Sequence, residues 1–345
     1  MLQKVKYWID NARWIALPQS LLPALVALTM AWNYSSNSIL ENNVLGESPF
    51  SWGLGILAVL GVALLHLGMN LFDDYFDYCH KGVDYRGEIA SRGVRARIAK
   101  CYYLQKEGGK SSINDLLKAC LCFCGLALVV GIVIFIYRGS FILYLSLLTA
   151  AIGLSYSGAP FRLSYHGLGE LTIGFIFGPL LMTGVYYSAC GAWSWSELFI
   201  SIPVGLLVSN ILYTHSILDF EPDRAAGKRT LAVLLMNKKA MLFFSFIFNF
   251  FPFLIVGFGI LYGFLSPWYS LLFVTFYMAC ALFYRMCWFV KDPQKIFLPK
   301  PWMGPVQQWD KIKEAGIEWF MVRWLLSRNY VTFFCLILIL LNIFI

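Results

Sequence analysis

The stretch Asn70-Leu71-Phe72-Asp73-Asp74-Tyr75-Phe76-Asp77 decides how this chain folds. It closes an apolar run, Gly53 to Leu71, that is long enough to enter a membrane. Carboxylates at the end of such a run are costly to bury without a compensating charge. On a helix Asp73 and Asp77 lie one turn apart, Asp74 and Asp77 are three residues apart, and Asn70 sits one turn before Asp74. The group therefore shares a face. Carboxylates gathered this way repel one another unless a cation sits among them. Hard oxygen ligands favour magnesium, which keeps some waters and bridges to a phosphate.

Asp84 follows a little further on, and a second acidic stretch, Asp219-Phe220-Glu221-Pro222-Asp223-Arg224, closes another apolar run. Asp219 and Asp223 are four residues apart, but Pro222 disfavours a helical Glu221, so a broken or looped exit is expected. Gly227-Lys228-Arg229-Thr230 comes next. Carboxylates on a metal, with Lys228 and Arg229 on phosphate oxygens, would hold a metal-bound diphosphate. An ordinary positively charged loop explains one such cluster; two on the same side of a membrane favour the ligand site.

Composition sets the class. Of the 345 residues 59% are hydrophobic and 13% charged, whereas soluble domains carry about a quarter charged residues. The chain reads as one all-α integral membrane domain over 1–345. Most of the nine cysteines sit in apolar runs, as small buried hydrophobes do. His66, His80, His166 and His215 show no zinc-ligand spacing. The net charge of +8 does not point to nucleic acid, because the basic residues fall in alternate loops, as membrane orientation demands.

Nine spans are expected: Trp14 to Trp32, then roughly 52–72, 116–137, 140–157, 171–189, 197–218, 240–264 and 268–290, and finally Tyr330 to Ile345. A signal peptide is the alternative for the first, but Pro18 and Pro23 interrupt it and no cleavage pattern follows. This count places the N-terminus in the cytoplasm. The loop 78–115 is the most basic part, with Lys81, Arg86, Arg92, Arg95, Arg97, Lys100, Lys106 and Lys110. It serves as a positive-inside anchor, as a cationic cover over an anionic substrate, or as both. A tight turn is expected at Arg138-Gly139, and a Gly/Pro turn from Tyr156 to Arg162. Glycines around Gly167-Leu168-Gly169-Glu170 suit either close helix packing or a substrate wall. Within the polar segment 291–329, Ile312 to Leu326 reads as a helix lying in the interface. An ion-coupled transporter or a non-catalytic scaffold are the rival classes. Acids at the ends of spans, rather than mid-bilayer, argue against the first, and clustered carboxylates argue against the second.

At these residues the chain resembles the UbiA superfamily of intramembrane prenyltransferases, and within it the 1,4-dihydroxy-2-naphthoate polyprenyltransferases of menaquinone synthesis. The resemblance runs through Ser20-Leu21-Leu22-Pro23-Ala24, Asn70 to Asp84, Tyr156 to Glu170, Gly178-Pro179, Tyr186-Tyr187 and Asp219 to Val233. It implies nine helices around a central lipid-accessible cavity in a bacterial inner membrane. Catalytic Asp74, Asp77, Asp219 and Asp223, with Asp73 and Asp84, would hold Mg2+. Asn70, Lys228, Arg229 and Arg162 would hold a polyprenyl diphosphate. Tyr75, Tyr156, Tyr213, His215 and Leu218 would surround the aromatic quinone precursor. Three departures stand out. Asp73 replaces the usual Asn of the first motif. The usual Asn-Asn-x-Arg-Asp reads His215-Ser216-Ile217-Leu218-Asp219, and the Gly-Pro-x-Arg-Ala-Val stretch has no counterpart in 85–100. They bear on the acceptor more than on the diphosphate.

Overall fold

The computed structural model describes residues 2–40, 50–81, 103–105, 109–225, 227–293, 295–306 and 309–344. Long apolar runs must satisfy their own backbone groups, and a helix does so within one segment. In order the helices are α1 Leu2–Asn11, α2 Pro18–Leu40, α3 Trp52–Lys81, α4 Ile113–Arg138 and α5 Ser140–Ser157. Then come α6 Gly169–Phe175, α7 Leu181–Cys190, α8 Trp195–Leu218, α9 Phe220–Ala225 and α10 Leu231–Leu235. The chain ends with α11 Lys238–Leu261, α12 Phe276–Lys291, α13 Trp309–Glu314 and α14 Glu318–Phe344. The described residues contain no named strand, only an isolated bridge between Leu104 and Ser111.

Eight helical segments among the described residues are long and apolar enough to cross a membrane. They match the expected second to ninth spans. The expected first span differs. Trp14–Ala16 is a single 3-10 turn, and α2 is long enough at 23 residues but carries too many polar side chains to qualify by composition. Packing covers them: Ser20 is fully buried, Thr29 and Ser35 nearly so, and Ala24, Val26, Ala27 and Ala31 are sealed in the main core. The interfacial helix expected over Ile312 to Leu326 is also corrected. Gly316, at φ 64°, ends α13, and α14 starts the last span twelve residues before Tyr330. Arg323 makes that possible. It is fully buried, and its guanidinium donates to the carbonyls of Arg285, Trp319 and Lys295, so the charged group is solvated by backbone.

α8 is the most enclosed helix and packs on α6, α11 and α14. Contact with α6 is backbone to backbone: a Cβ at Gly205 would lie 2.4 Å from the Gly174 carbonyl oxygen, and one at Gly178 2.4 Å from that of Ser201. For this pair the glycines are packing residues. Between α6 and α7 the helix widens into a π-helical turn, Ile176–Leu180, around Pro179. At the Arg138-Gly139 turn, Arg138 donates from Nε to Ser188 O at 2.8 Å and from Nη2 to Ala189 O at 2.6 Å, capping α7.

Candidate active site

The first acidic stretch does not end a helix. α3 continues through it to Lys81, so Asn70, Asp74 and Asp77 line one face as the spacing requires. Asp74 and Asp77 are buried and Asp73 is partly exposed. Each carboxylate has a donor supplied by a different part of the chain. Arg13, from the segment joining α1 and α2, donates from Nη1 to Asp74 Oδ1 at 2.9 Å and lies 3.6 Å from Asp73 Oδ2 through Nη2. The same Nη2 also donates to Asn70 O at 2.8 Å, and the Asn70 amide donates to Ala12 O at 2.9 Å. Tyr103 donates to Asp74 Oδ2 at 3.2 Å, Ser157 to Asp73 Oδ1 at 2.6 Å, and Tyr165 to Asp77 Oδ1.

Arg13 adopts a left-handed backbone, φ 59° and ψ 51°, at an order-of-magnitude cost of about 1 kcal/mol for a non-glycine residue. Its charge repays this. Burial alone lowers the guanidinium pKa, but Asp74 and then Asp73 outweigh burial and hold it above the ordinary value. In sequence Arg13 is one of three basic residues, with Lys4 and Lys6, that precede the first apolar run. Its position just before a span, on the side where both acidic runs end, was the available signal.

At the second stretch, α8 stops at Asp219 and a new helical turn, α9, carries Asp223, whose backbone N–H donates to Asp219 O at 2.8 Å. The expected break is present, but it is one residue wide, and Pro222 sits in the first turn of α9, where its missing N–H costs nothing. Asp219 and Asp223 are buried. His215 Nδ1 is 3.3 Å from Asp219 Oδ2, and the ring lies edge-on to Phe320 at 5.3 Å. Asp223 Oδ2 and Thr230 Oγ1 are buried without a hydrogen-bond partner among the described residues. The Lys228 N–H donates to Asp223 O at 2.9 Å, and Arg229 is exposed.

The two acidic stretches share one end of the bundle. Asp77 is tied to Tyr165 and Asp73 to Ser157, at the turn between α5 and α6. In the first turn of α6, Glu170 accepts from Ser216 Oγ of α8 at 2.6 Å and from the Leu231 N–H at the start of α10 at 3.3 Å. The 157–170 segment thus joins α3 to the exit of α8. Sequence reasoning placed this segment in the site and missed its donors, Ser157 and Tyr165, together with Tyr103.

Other expected residues fall elsewhere. Tyr213 is fully buried against α11, donating to Met241 O at 2.9 Å, so it does not line a substrate space. Leu218 is sealed in the hydrophobic core and offers an acceptor no surface. Tyr75 leans into the satellite core around Trp8, Leu71 and Cys120. Tyr156 is half-buried beside Gly169, and Arg162 sits in a left-handed turn at φ 45°. Asp84 and the arginines of the 86–97 loop lie outside the described residues.

No three His, Cys, Asp or Glu side chains among the described residues are already gathered as a metal cage. The donor set still fits a hard divalent cation. Its oxygens are carboxylates, Asp223 Oδ2 is bare, and Arg13 supplies a positive charge between Asp73 and Asp74.

Comparison with known proteins bears on the family and the fold. The model of the UbiA prenyltransferase family matches residues 116–299. The 1,4-dihydroxy-2-naphthoate octaprenyltransferase of Bacillus subtilis is 26% identical over 61% of this chain and 64% of its own length. The 2-carboxy-1,4-naphthoquinone phytyltransferase of Synechocystis is 37% identical over 49% of this chain and 50% of its own. The chain thus matches between half and two thirds of these relatives' lengths. Among solved structures, a UbiA homolog from Archaeoglobus fulgidus bound to GPP and Mg2+ superposes with a TM-score of 0.51 at 17% identity, covering 82% of this chain and 98% of that one.

Proposed function

The chain belongs to the UbiA prenyltransferase family, and from that premise we propose that it transfers a polyprenyl group from a polyprenyl diphosphate to an aromatic acceptor in a membrane. The observation that carries this is the placing of both acidic stretches at one end of the bundle, joined through Tyr165 and Glu170. Asp74, Asp77, Asp219 and Asp223 would hold Mg2+, with Asp73 contributing from the rim. Bound there, the metal neutralises the diphosphate and makes it a better leaving group.

The chain's own residues do the rest. Arg13 and Lys228 offer positive charge to diphosphate oxygens, and Arg13 can exchange a carboxylate for a phosphate because its guanidinium fork binds two oxygens of either, the planar carboxylate or the tetrahedral phosphate. Tyr103, Ser157 and Tyr165 hold the carboxylates in position, which keeps the leaving group aligned. Buried apolar walls keep water from the allylic carbon as its C–O bond breaks. The positive-inside bias of the basic loops puts this end at the cytoplasmic face.

The name of the Bacillus subtilis relative supports 1,4-dihydroxy-2-naphthoate as the acceptor; loss of carbon dioxide and a place in menaquinone synthesis are part of our proposal. Mass spectrometry of lipid products after supplying a polyprenyl diphosphate with dihydroxynaphthoate tests this. A prenylated product lighter by one carboxyl supports the reading. Product from a different aromatic alone would move the acceptor, and flux across liposomes without any product would make the protein a carrier.

A further inference from the structure

Two turns below Asp74 on the same face of α3 stands His66, a buried histidine that the carboxylate site does not use. His66, Asn70 and Asp74 are spaced four and four, which stacks them along one face, with the imidazole about 12 Å from Asp74 along the axis. Its neighbours come from two other elements. Ser20 of α2 lies with Oγ 2.6 Å from His66 Nδ1, and Phe177 of the π-helical turn presents its ring at 5.2 Å, edge to face. The ring therefore faces the inside of the bundle. It keeps 9% of its surface open there.

The hydrogen bonds of Ser20 bear on the tautomer. A serine hydroxyl has one proton. With that proton on the Leu17 carbonyl, 3.0 Å away, the Ser20 oxygen is left to accept from His66 and Nδ1 carries the hydrogen. Nε2 is then a bare lone pair. It makes no hydrogen bond among the described residues, and the ring is not wholly sealed from solvent. Such an atom calls for an O–H or N–H donor from a ligand.

Resting on the prenyltransfer reading above, we infer that His66 is the acceptor-binding base: Nε2 receives a hydrogen bond from a hydroxyl of the aromatic acceptor and takes its proton as the ring attacks. The hydroxyl oxygen's electrons move into the ring and the ring carbon bonds to the allylic carbon. The allylic C–O bond breaks and diphosphate leaves with the bonding pair, while the hydroxyl proton passes to Nε2. If the attacked carbon bears a carboxylate, loss of carbon dioxide returns the electron pair to the oxygen, which recovers its proton from the imidazolium. If it bears a hydrogen, that proton is lost to solvent instead, the electron pair again returns to the oxygen, and the oxygen recovers its proton from the imidazolium. Ser20 acts as a positioning residue, because it alone selects the tautomer.

Steady-state kinetics with a fixed prenyl diphosphate and a series of phenolic acceptors of graded acidity test this. His66→Gln is expected to lower kcat/KM for the acceptor by about a hundredfold or more, with the KM for the prenyl diphosphate unchanged within about twofold. The loss should shrink for acceptors already ionised at the assay pH, since these need no base. Ser20→Ala, which keeps the imidazole, should lose less and show the same dependence on acidity. Equal losses across the series, or a rise in the KM for the diphosphate alone, would overturn the assignment. A wild-type protein that releases no diphosphate with any acceptor would instead refute the prenyltransfer reading itself. Thermal unfolding in detergent identifies any variant that fails to fold, and Ser20→Ala then carries the test.

Discussion

Arg13 shows how much of the site depends on single contacts. Its guanidinium joins Asp74, Asp73 and the Asn70 carbonyl, and it is the only cation among the described residues that forms an ion pair with either carboxylate. Arg13→Ala removes the one counter-charge that Asp74 has among the described residues, where Asp74 lies buried beside Tyr103. This should destabilise the protein by about 2–3 kcal/mol, the lower range for breaking a buried pair because Arg13 is partly exposed. Thermal unfolding in detergent, with and without magnesium, checks it. The variant should have the lower melting temperature and gain more than wild type from the metal. An unchanged melting temperature would remove Arg13 from the charge balance. At this scale the carboxylates were legible in the sequence because acids at the end of an apolar run are rare. Their donors were not. Arg13, Tyr103, Ser157 and Tyr165 reach them across sequence separations of 29 to 88 residues, and no local pattern records such a contact.

Helices were read well and their ends less so. α5 begins and ends where hydropathy places it, because Gly139 at φ 76° and Gly158 bound it. α14 begins twelve residues earlier than expected, because Arg323 and Trp319 look interfacial in sequence, whereas buried carbonyls and rings accept them in the fold. The glycines of α6 and the π-helical turn pose the same difficulty. Only the structure shows Gly174 and Gly178 set against Gly205, where an added Cβ would meet backbone. Gly205→Val would drive carbons into the Gly174 carbonyl and the Gly178 Cα, separating α8 from α6. Overpacking of this kind costs about 1–3 kcal/mol in a packed core, and here both obstacles are backbone. The variant should melt at lower temperature and lose activity together with stability, since α8 and α6 position Asp219 and Glu170. Gly257→Val, facing only Phe273 at 3.8 Å, is the control that should melt near wild type.

For the molecule as a whole, the arrangement is a helical bundle whose chemistry gathers at one end. The exits of α3 and α8 are held there by the 157–170 segment and by the charge of Arg13. Two acidic motifs in the sequence suggested this convergence. What tied them together, the hydroxyls of Tyr165 and Ser216 and the carboxylate of Glu170, became visible only in three dimensions. Prenyltransfer through one metal–diphosphate unit requires both motifs at once, because losing either misplaces the leaving group. The most direct measurement is magnesium-dependent diphosphate release from a polyprenyl diphosphate in the presence of an aromatic acceptor. It compares wild type with Asp74→Ala and Asp223→Ala, each checked for folding. Wild type should release diphosphate until the metal is chelated, and each folded variant should lose about a hundredfold or more. Release within a few-fold of wild type in either variant would contradict a single shared site.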